Sequence, residues 1–277
     1  MKQMGIMPDN VEQIREKDGV SVFRVQSKGK SYVLKYFEKP EYRREVENYL
    51  LLQKLDIPTI PLIAFTEEAI LMEDLGESEQ YRLAVPEDMK STRTIQNVAR
   101  WYKNLHQRGR DHVARSGKAM YSELDVLTRD NLRIIRQRTG TEGNAVWTFL
   151  DEYFDGLQRR ADEIPKTLTY NDFYYTNLAV ARDGTSALMF DYNLLGKGMA
   201  VSDVRNVTYG LSEREKAVFL KEYGSVSREE IRLDQVTSTL TALYTACLRE
   251  DLPAWAEREL ERVKNGSLLT SAQALLL

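Results

Sequence analysis

The chain has 277 residues, 42% hydrophobic and 29% charged, with a formal net charge of −3. That is enough apolar material for a sizeable globular core, and it offers no basic excess to neutralise nucleic-acid phosphates. A single cysteine, Cys247, excludes an internal disulfide and a cysteine-based zinc site, while two histidines, His106 and His112, exclude a histidine-rich metal centre. Met1 to Asn10 lacks the apolar core of a signal peptide, and no apolar run reaches the ~18 residues of a membrane span, so a cytoplasmic protein with no membrane partner is expected.

Gly19–Val25 and Lys30–Phe37 are β-rich and partly alternating, with Ser27–Lys30 as the turn between them. They read as a hairpin entered at Gly19, with Lys35 late in the second strand. Pro40 opens a helix over 41–55, whose apolar positions Val46, Tyr49, Leu50, Leu52 and Leu55 fall near helical spacing. Glu45 and Glu47 lie in its first turns, about 200° apart around the axis, which leaves Glu47 solvated. A proline-marked link, Ile57–Ile63, leads to Ala69–Glu73, a strand that runs into a break at Gly76. The chain is expected to divide there, into a β-rich lobe over 1–75 and a mainly helical lobe over 76–277.

In the second stretch, Ser91–Thr94 opens a helix through Val98, Trp101, Tyr102 and Leu105, and His106 reads as a structural residue donating a buried hydrogen bond. Two amphipathic helices follow over 121–138 and 143–161, and Glu163-Ile-Pro-Lys166 breaks the second. Asn177 then lies five residues after Asp172, and Asp191 nineteen after it. Between them, Leu178–Ala181 and Ala187–Phe190 read as strands joined at Arg182-Asp183-Gly184, and Asp-Gly between apolar runs is a strong hairpin signal. The hairpin returns Asp191 to the neighbourhood of Asp172 and Asn177. Hard oxygen ligands of this kind suit Mg²⁺, which takes few protein groups and completes its shell with water and phosphate oxygens. Gly196-Lys-Gly198 reads as a flexible segment and lacks the spacing of a Walker A loop. The helices expected over 212–223, 229–250 and 255–263 are amphipathic and partly acidic, and Cys247 reads as a buried small hydrophobe.

The Asp-x-x-x-x-Asn spacing resembles the kinase catalytic loop, and Asp191 after a strand resembles its second metal-binding carboxylate. With Lys35, Arg44-Glu45 followed by Leu52, the strand and break at 69–76, Leu105-His106 and Phe190-Asp191-Tyr192, all in order, the chain is similar to the aminoglycoside phosphotransferase and choline kinase family over roughly residues 15 to 225. The resemblance implies an α+β, two-lobed protein-kinase-like fold and ATP- and Mg²⁺-dependent phosphoryl transfer to a small-molecule hydroxyl. Asp172 is then the catalytic residue, and Asn177 and Asp191 the metal ligands. Lys35, held by Glu45, binds phosphates. Gly19 and Ser21 approach them, Met72 lines the adenine pocket, and backbone groups of Glu73 and Leu75 bond the adenine edge. Asp203 is implied to cap the next helix and steady the catalytic loop. The acidic helices suggest a cationic acceptor such as an aminoglycoside or choline. Two features depart from the family: Tyr170 stands where it usually has His, and there is no Gly-rich loop. The alternatives are a non-catalytic kinase-like binding or scaffold protein of the spore-coat type, and a metal-dependent hydrolase that leaves Lys35 and Glu45 unexplained.

Overall fold

The computed structural model describes residues 2–277. In chain order it contains β1 (Asn10–Lys17), β2 (Val20–Ser27), β3 (Lys30–Phe37), α1 (Pro40–Lys54), β4 (Leu62–Phe65), β5 (Ala69–Glu73), β6 (Tyr81–Leu83), α2 (Thr92–Ser116), α3 (Arg129–Arg138) and α4 (Ala145–Glu163). There follow β7 (Thr167–Thr169), β8 (Leu178–Ala181), β9 (Ala187–Met189), β10 (Gly196–Gly198), α5 (Ala200–Tyr209), α6 (Glu213–Tyr223), α7 (Arg228–Cys247), α8 (Glu257–Lys264) and α9 (Ser267–Leu276). An antiparallel sheet followed by a mainly helical remainder makes the chain α+β, as the sequence implies. Among the described residues no helix is long and apolar enough to cross a membrane.

The chain forms two compact units. One comprises the chain to Gly109, Tyr170–Leu195 and Asn206–Gly224; the other comprises Arg110–Thr169, Gly196–Arg205 and Ser225–Leu277. The units are discontinuous and do not coincide with the consecutive stretches 1–75 and 76–277.

The first unit is built on a five-stranded sheet of order β1-β2-β3-β5-β4. The hairpin expected from the sequence is β2–β3, but a further strand precedes it. β1 is exposed along its whole length, so its residues, Asn-Val-Glu-Gln-Ile-Arg-Glu-Lys, carry no buried face for a sequence reading to detect. Its turn is Asp18-Gly19, with φ of 55° and 87°. Two successive positive φ values suit a tight hairpin turn and select Gly at the second position. Side chains alternate across a strand. Phe23, Leu34 and Leu71, which lie opposite one another, therefore share a face with Val25 and Tyr32, and Met4 and Ile6 pack against that cluster. The other face carries Val22, Lys35 and Ile70. The same unit holds the three-stranded sheet β6-β8-β9, which contains the expected hairpin.

The second unit is a helical core in which Trp147, Leu150 and Phe154 of α4 pack with Leu233, Val236 and Leu240 of α7 and Leu268 and Leu275 of α9. Three expectations are corrected here. The helix expected over 121–138 is broken, because Ser122 and Thr128 each accept a backbone N–H, from Leu124 at 3.3 Å and Asn131 at 3.1 Å. They cap a short 3₁₀ turn and then α3 separately. Gly196-Lys-Gly198 is a strand, not a flexible segment: β10 pairs antiparallel with β7. Its glycines allow close packing, since a Cβ on Gly196 would lie 2.3 Å from the Tyr121 carbonyl oxygen and one on Gly198 2.9 Å from Thr169 Oγ1. Asp203 lies in the first turn of α5, where its charge suits the helix dipole, and not at the N-cap position. Cys247 is buried at the end of α7, as expected.

Candidate active site

All candidate site residues fall in the first unit. Lys35 is presented by the register of β3, opposite Val22 on β2 and Ile70 on β5. Its Nζ donates to Glu45 Oε2 at 2.6 Å and to Asp191 Oδ1 at 2.9 Å. Glu45, in the second turn of α1, is 1% exposed and carries this contact, while Glu47 is exposed. Burial pulls the Lys35 ammonium down, but the charges of Glu45 and Asp191 outweigh it and hold its pKa above the usual value. Burial pushes the Glu45 carboxyl up to about 7 against the attraction of Lys35, and the Asp191 charge adds to the rise.

Asp191 is fixed by its neighbours. The hairpin register sets Leu178 opposite Met189, and the next backbone bond, Phe190 N–H to Asn177 O at 3.0 Å, ties the strand exit to the Asp172–Asn177 loop. The Phe190 carbonyl accepts from the Tyr170 hydroxyl. With both backbone groups of Phe190 engaged, Asp191 follows in the left-handed region at φ 64°. Asn171, beside Asp172, has φ 65°, and its Nδ2 donates to the Leu194 carbonyl at 2.9 Å. Non-glycine residues held in this region cluster at functional sites. On the opposite side of Asp172, Asn177 Nδ2 donates to Asp172 Oδ2 at 3.1 Å and to its carbonyl at 3.2 Å. Burial raises the Asp172 pKa and Asp191 adds to it, while the Asn177 hydrogen bond and Lys35 oppose the rise.

The donor set suits a divalent cation. With its amide N–H₂ turned to Asp172, Asn177 presents Oδ1 away from that carboxylate, and Asp191 supplies anionic oxygen. Among the described residues no group of three or more His, Cys, Asp or Glu side chains could hold a metal by itself. Mg²⁺ binds through one or two protein oxygens and takes phosphate oxygens for the rest, so a pair such as Asn177 and Asp191 would meet its needs.

The remaining expected residues are placed as follows. Met72 lies on the Lys35 face of the sheet, and its sulfur accepts from the Tyr49 hydroxyl at 3.1 Å. Glu73 ends β5 and Leu75 is buried just after it. Gly19 lies in the β1–β2 turn with the Lys39 side chain against it, 3.0 Å from where a Cβ would be. Ser21 is opposite Tyr36, so alternation sets it on the face away from Lys35, and the structure does not bring it to the group.

Sequence reasoning missed two sets of positioning residues. Asn48, three residues after Glu45 and so on the same helix face, donates to the Tyr192 carbonyl at 2.7 Å. Its signal was a buried amide in an apolar stripe. Asp74 is 4% exposed and accepts from Arg24 Nε at 2.8 Å, Ser31 Oγ at 2.7 Å and Gly76 N at 3.0 Å. Burial alone would raise this carboxyl; the hydrogen bonds from Ser31, Arg24 and Gly76 outweigh burial and hold it below the usual range. His106 is structural, as expected: it is 3% exposed, and its Nδ1 is 2.7 Å from the Tyr223 hydroxyl.

A lysine tied to a helical glutamate on a small antiparallel sheet, together with an Asp–Asn loop and a returning aspartate, defines a kinase-like α+β protein. The family model described as "Phosphotransferase enzyme family" matches residues 10–234, and the chain belongs to that family. Among solved structures, choline kinase from Streptococcus pneumoniae is similar at a TM-score of 0.62 and 16% identity, covering 94% of this chain and 93% of that one. Macrolide 2'-phosphotransferase from Brachybacterium faecium matches at 0.59 and 19% identity, covering 99% and 95%. Spectinomycin phosphotransferase in complex with ADP and spectinomycin matches at 0.54 and 13%, covering 98% and 94%. These likenesses establish the shared fold. A comparison with curated proteins finds no match.

Proposed function

We propose that the protein is an ATP- and Mg²⁺-dependent phosphotransferase acting on a hydroxyl of a polar or cationic small molecule, such as an aminoglycoside or amino alcohol. The observation that carries the reading is the convergence of Lys35, Glu45 and Asp191, with Asp172 and Asn177 in the adjoining loop. Family membership supports the reaction class, and the ADP in the related spectinomycin enzyme supports an adenine nucleotide.

Asp172 orients the acceptor hydroxyl and takes its proton; its raised pKa makes it a better proton acceptor than an ordinary aspartate. Asn177 holds that carboxylate by one end of its amide and offers the other end, with Asp191, to the metal. A bound Mg²⁺ would neutralise charge on the phosphates there. Lys35, kept charged by its two carboxylates, binds the phosphates, and Glu45 fixes its position. The sheet face that carries Lys35 and Met72 receives the nucleotide, with Gly19 at the edge and the backbone of Glu73 and Leu75 at the adenine. Little covalent work is asked of the protein, so positioning and electrostatics supply the rate.

The test is ATP consumption against a panel of aminoglycosides, amino alcohols and sugars, with wild type and Asp172→Asn. The variant is expected to bind Mg-ATP normally and to turn over roughly 10²–10⁴ more slowly, the usual worth of a positioned base. An equal loss of nucleotide affinity would move Asp172 to the metal instead. Nucleotide binding with no acceptor consumed would replace this reading with that of a non-catalytic kinase-like protein.

A further inference from the structure

The loop that carries Asp172 also carries two exposed tyrosines, Tyr174 at 65% and Tyr175 at 37%. Asn171, Asp172, Phe173 and Asn177 of the same loop are half-buried. Among the described residues neither phenol makes a hydrogen bond or a ring contact.

The backbone accounts for the exposure of Tyr174. The Phe173 ring packs against Tyr102, with 6.3 Å between centroids. Tyr174 follows in an extended conformation, φ −137° and ψ 147°, so its side chain projects to the other side from that of Phe173. Its carbonyl accepts the Asn177 N–H at 2.9 Å, which closes the 3₁₀ turn Tyr175–Asn177. The Tyr174 ring is therefore carried on a fixed backbone and has no packing task of its own. Single exposed aromatics are ordinary on protein surfaces, and what distinguishes this one is its place. Consecutive Cα atoms lie ~3.8 Å apart, so those of Asp172 and Tyr174 are separated by at most about 7.6 Å. A molecule whose hydroxyl meets Asp172 comes within reach of the ring.

Charge selects what that molecule carries. The Asp172 carboxylate accepts from the neutral Asn177 amide, while the Lys35 ammonium is engaged by Glu45 and Asp191. The charges of Asp191 and Lys35 act on Asp172 in opposite senses. Among the described residues Asp172 has no ion pair of its own, and a metal–triphosphate donor beside it is a net anion. A cation is the better match, and the face of a tyrosine ring attracts cations.

We propose that the ring face of Tyr174 binds the ammonium group of the acceptor and so selects cationic alcohols over neutral ones. This assignment rests on the phosphotransferase reading above and names the residue that chooses its acceptor.

The experiment uses the full chain with Mg²⁺ and the non-hydrolysable nucleotide adenylyl imidodiphosphate. Choline, ethanolamine, kanamycin A and 3,3-dimethylbutan-1-ol, the uncharged shape-mate of choline, are titrated in by calorimetry. Saturable binding of at least one of the three cations is expected, and none of the neutral alcohol. Tyr174→Ala and Tyr174→Leu are expected to weaken that cation roughly five- to tenfold, the range of a cation–π contact, at unchanged nucleotide affinity and melting temperature. Tyr174→Phe keeps the ring face and is expected to bind like wild type. Failure to bind the Mg-nucleotide at all would sink the phosphotransferase reading itself. With that nucleotide bound, the assignment of Tyr174 alone is overturned by the neutral alcohol binding as tightly as the cations or by none of the cations binding. Unchanged affinity in Tyr174→Ala, or a loss in Tyr174→Phe equal to that in Tyr174→Ala, overturns it as well.

Discussion

Tyr170 places a phenol where the resembled family usually places an imidazole, and its surroundings explain why the exchange is compatible with an ordered loop. The ring is fully buried against Trp101, Tyr102 and Tyr192, with centroids 5.8, 6.3 and 6.0 Å away in edge-on geometry. The hydroxyl reaches past them to the Phe190 carbonyl. Burial raises its pKa well above the usual value, so it stays a neutral donor at every working pH. Its task is to hold the residue before Asp191, and no proton transfer is asked of it. Tyr170→Phe should therefore cost about 1–2 kcal/mol in urea unfolding, the loss of one hydrogen bond plus a buried acceptor left unserved. Tyr170→His should be tolerated where the smaller ring still reaches that carbonyl. Turnover in Tyr170→Phe is expected to fall less than in Asp172→Asn. A loss as large as that of Asp172→Asn would give the phenol a chemical role. A wild type and Tyr170→His both inert toward every acceptor, with nucleotide still bound, would mean that the imidazole was lost together with catalysis.

Between elements, β3 and α1 act as a unit. Lys35 on the strand and Glu45 on the helix are joined at 2.6 Å, so under the proposed function removing either should disable one and the same phosphate-binding group. Lys35→Ala and Glu45→Ala are expected to be non-additive in kcat/KM, the double variant losing little more than the worse single. Additive losses would mean that Glu45 acts elsewhere. β10 carries the complementary steric constraint. In Gly196→Ala the new methyl meets the Tyr121 carbonyl oxygen at 2.3 Å, a backbone atom that no rotamer change can move. It should cost about 1–3 kcal/mol, as overpacking does, and a change below about 0.5 kcal/mol would show that the strand can shift at no cost. These two elements also mark the limit of what the residues alone disclose. The apolar spacing of α1 and the Asp-Gly signal of the β8–β9 hairpin are local, so they place α1 and return Asp191 toward Asp172 and Asn177, while Lys35, Glu45, Asp172 and Asn177 are singled out by order and spacing that resemble the kinase motifs. β1 has no buried face, and the glycines of β10 read as looseness because the atoms they accommodate, at 121 and 169, are distant in sequence. The Arg24–Asp74–Ser31 cluster and the tie from Asn48 to Tyr192 are invisible for the same reason: their partners are set by sheet register and by the path of the chain after Asp191.

At the scale of the whole molecule, buried and half-buried carboxyls with opposite shifts set how stability responds to acid. Asp74 and Asp88 lie below the ordinary aspartate value of 3.8. For Asp88 the main cause is the paired hydrogen bond from Arg82, 2.7 Å on each oxygen, and for Asp74 the donors outweigh burial. A depressed acid stabilises the fold above its unfolded pKa and loses that contribution as the pH falls through its folded value, so these two weaken the protein below about pH 4. Glu45 in the first unit and Glu123 in the second have the reverse shift, from 4.5 up to about 7. For Glu123 burial dominates, Asp203 and Asp234 add to it, and Arg205 opposes. A raised acid binds its proton more tightly when folded. Its contribution is complete below 4.5 and is lost as the pH rises through 7, with a slope of at most about 1.4 kcal/mol per pH unit for each group. The urea midpoint should accordingly rise from about pH 3 to a maximum near pH 5 and then decline to pH 7.5. Glu123→Gln keeps the shape and removes one titrating proton, so its decline above pH 5 should be shallower and its midpoint at pH 7.5 higher than that of wild type. A variant profile that overlays the wild type would show that Glu123 is ionised in the folded protein throughout.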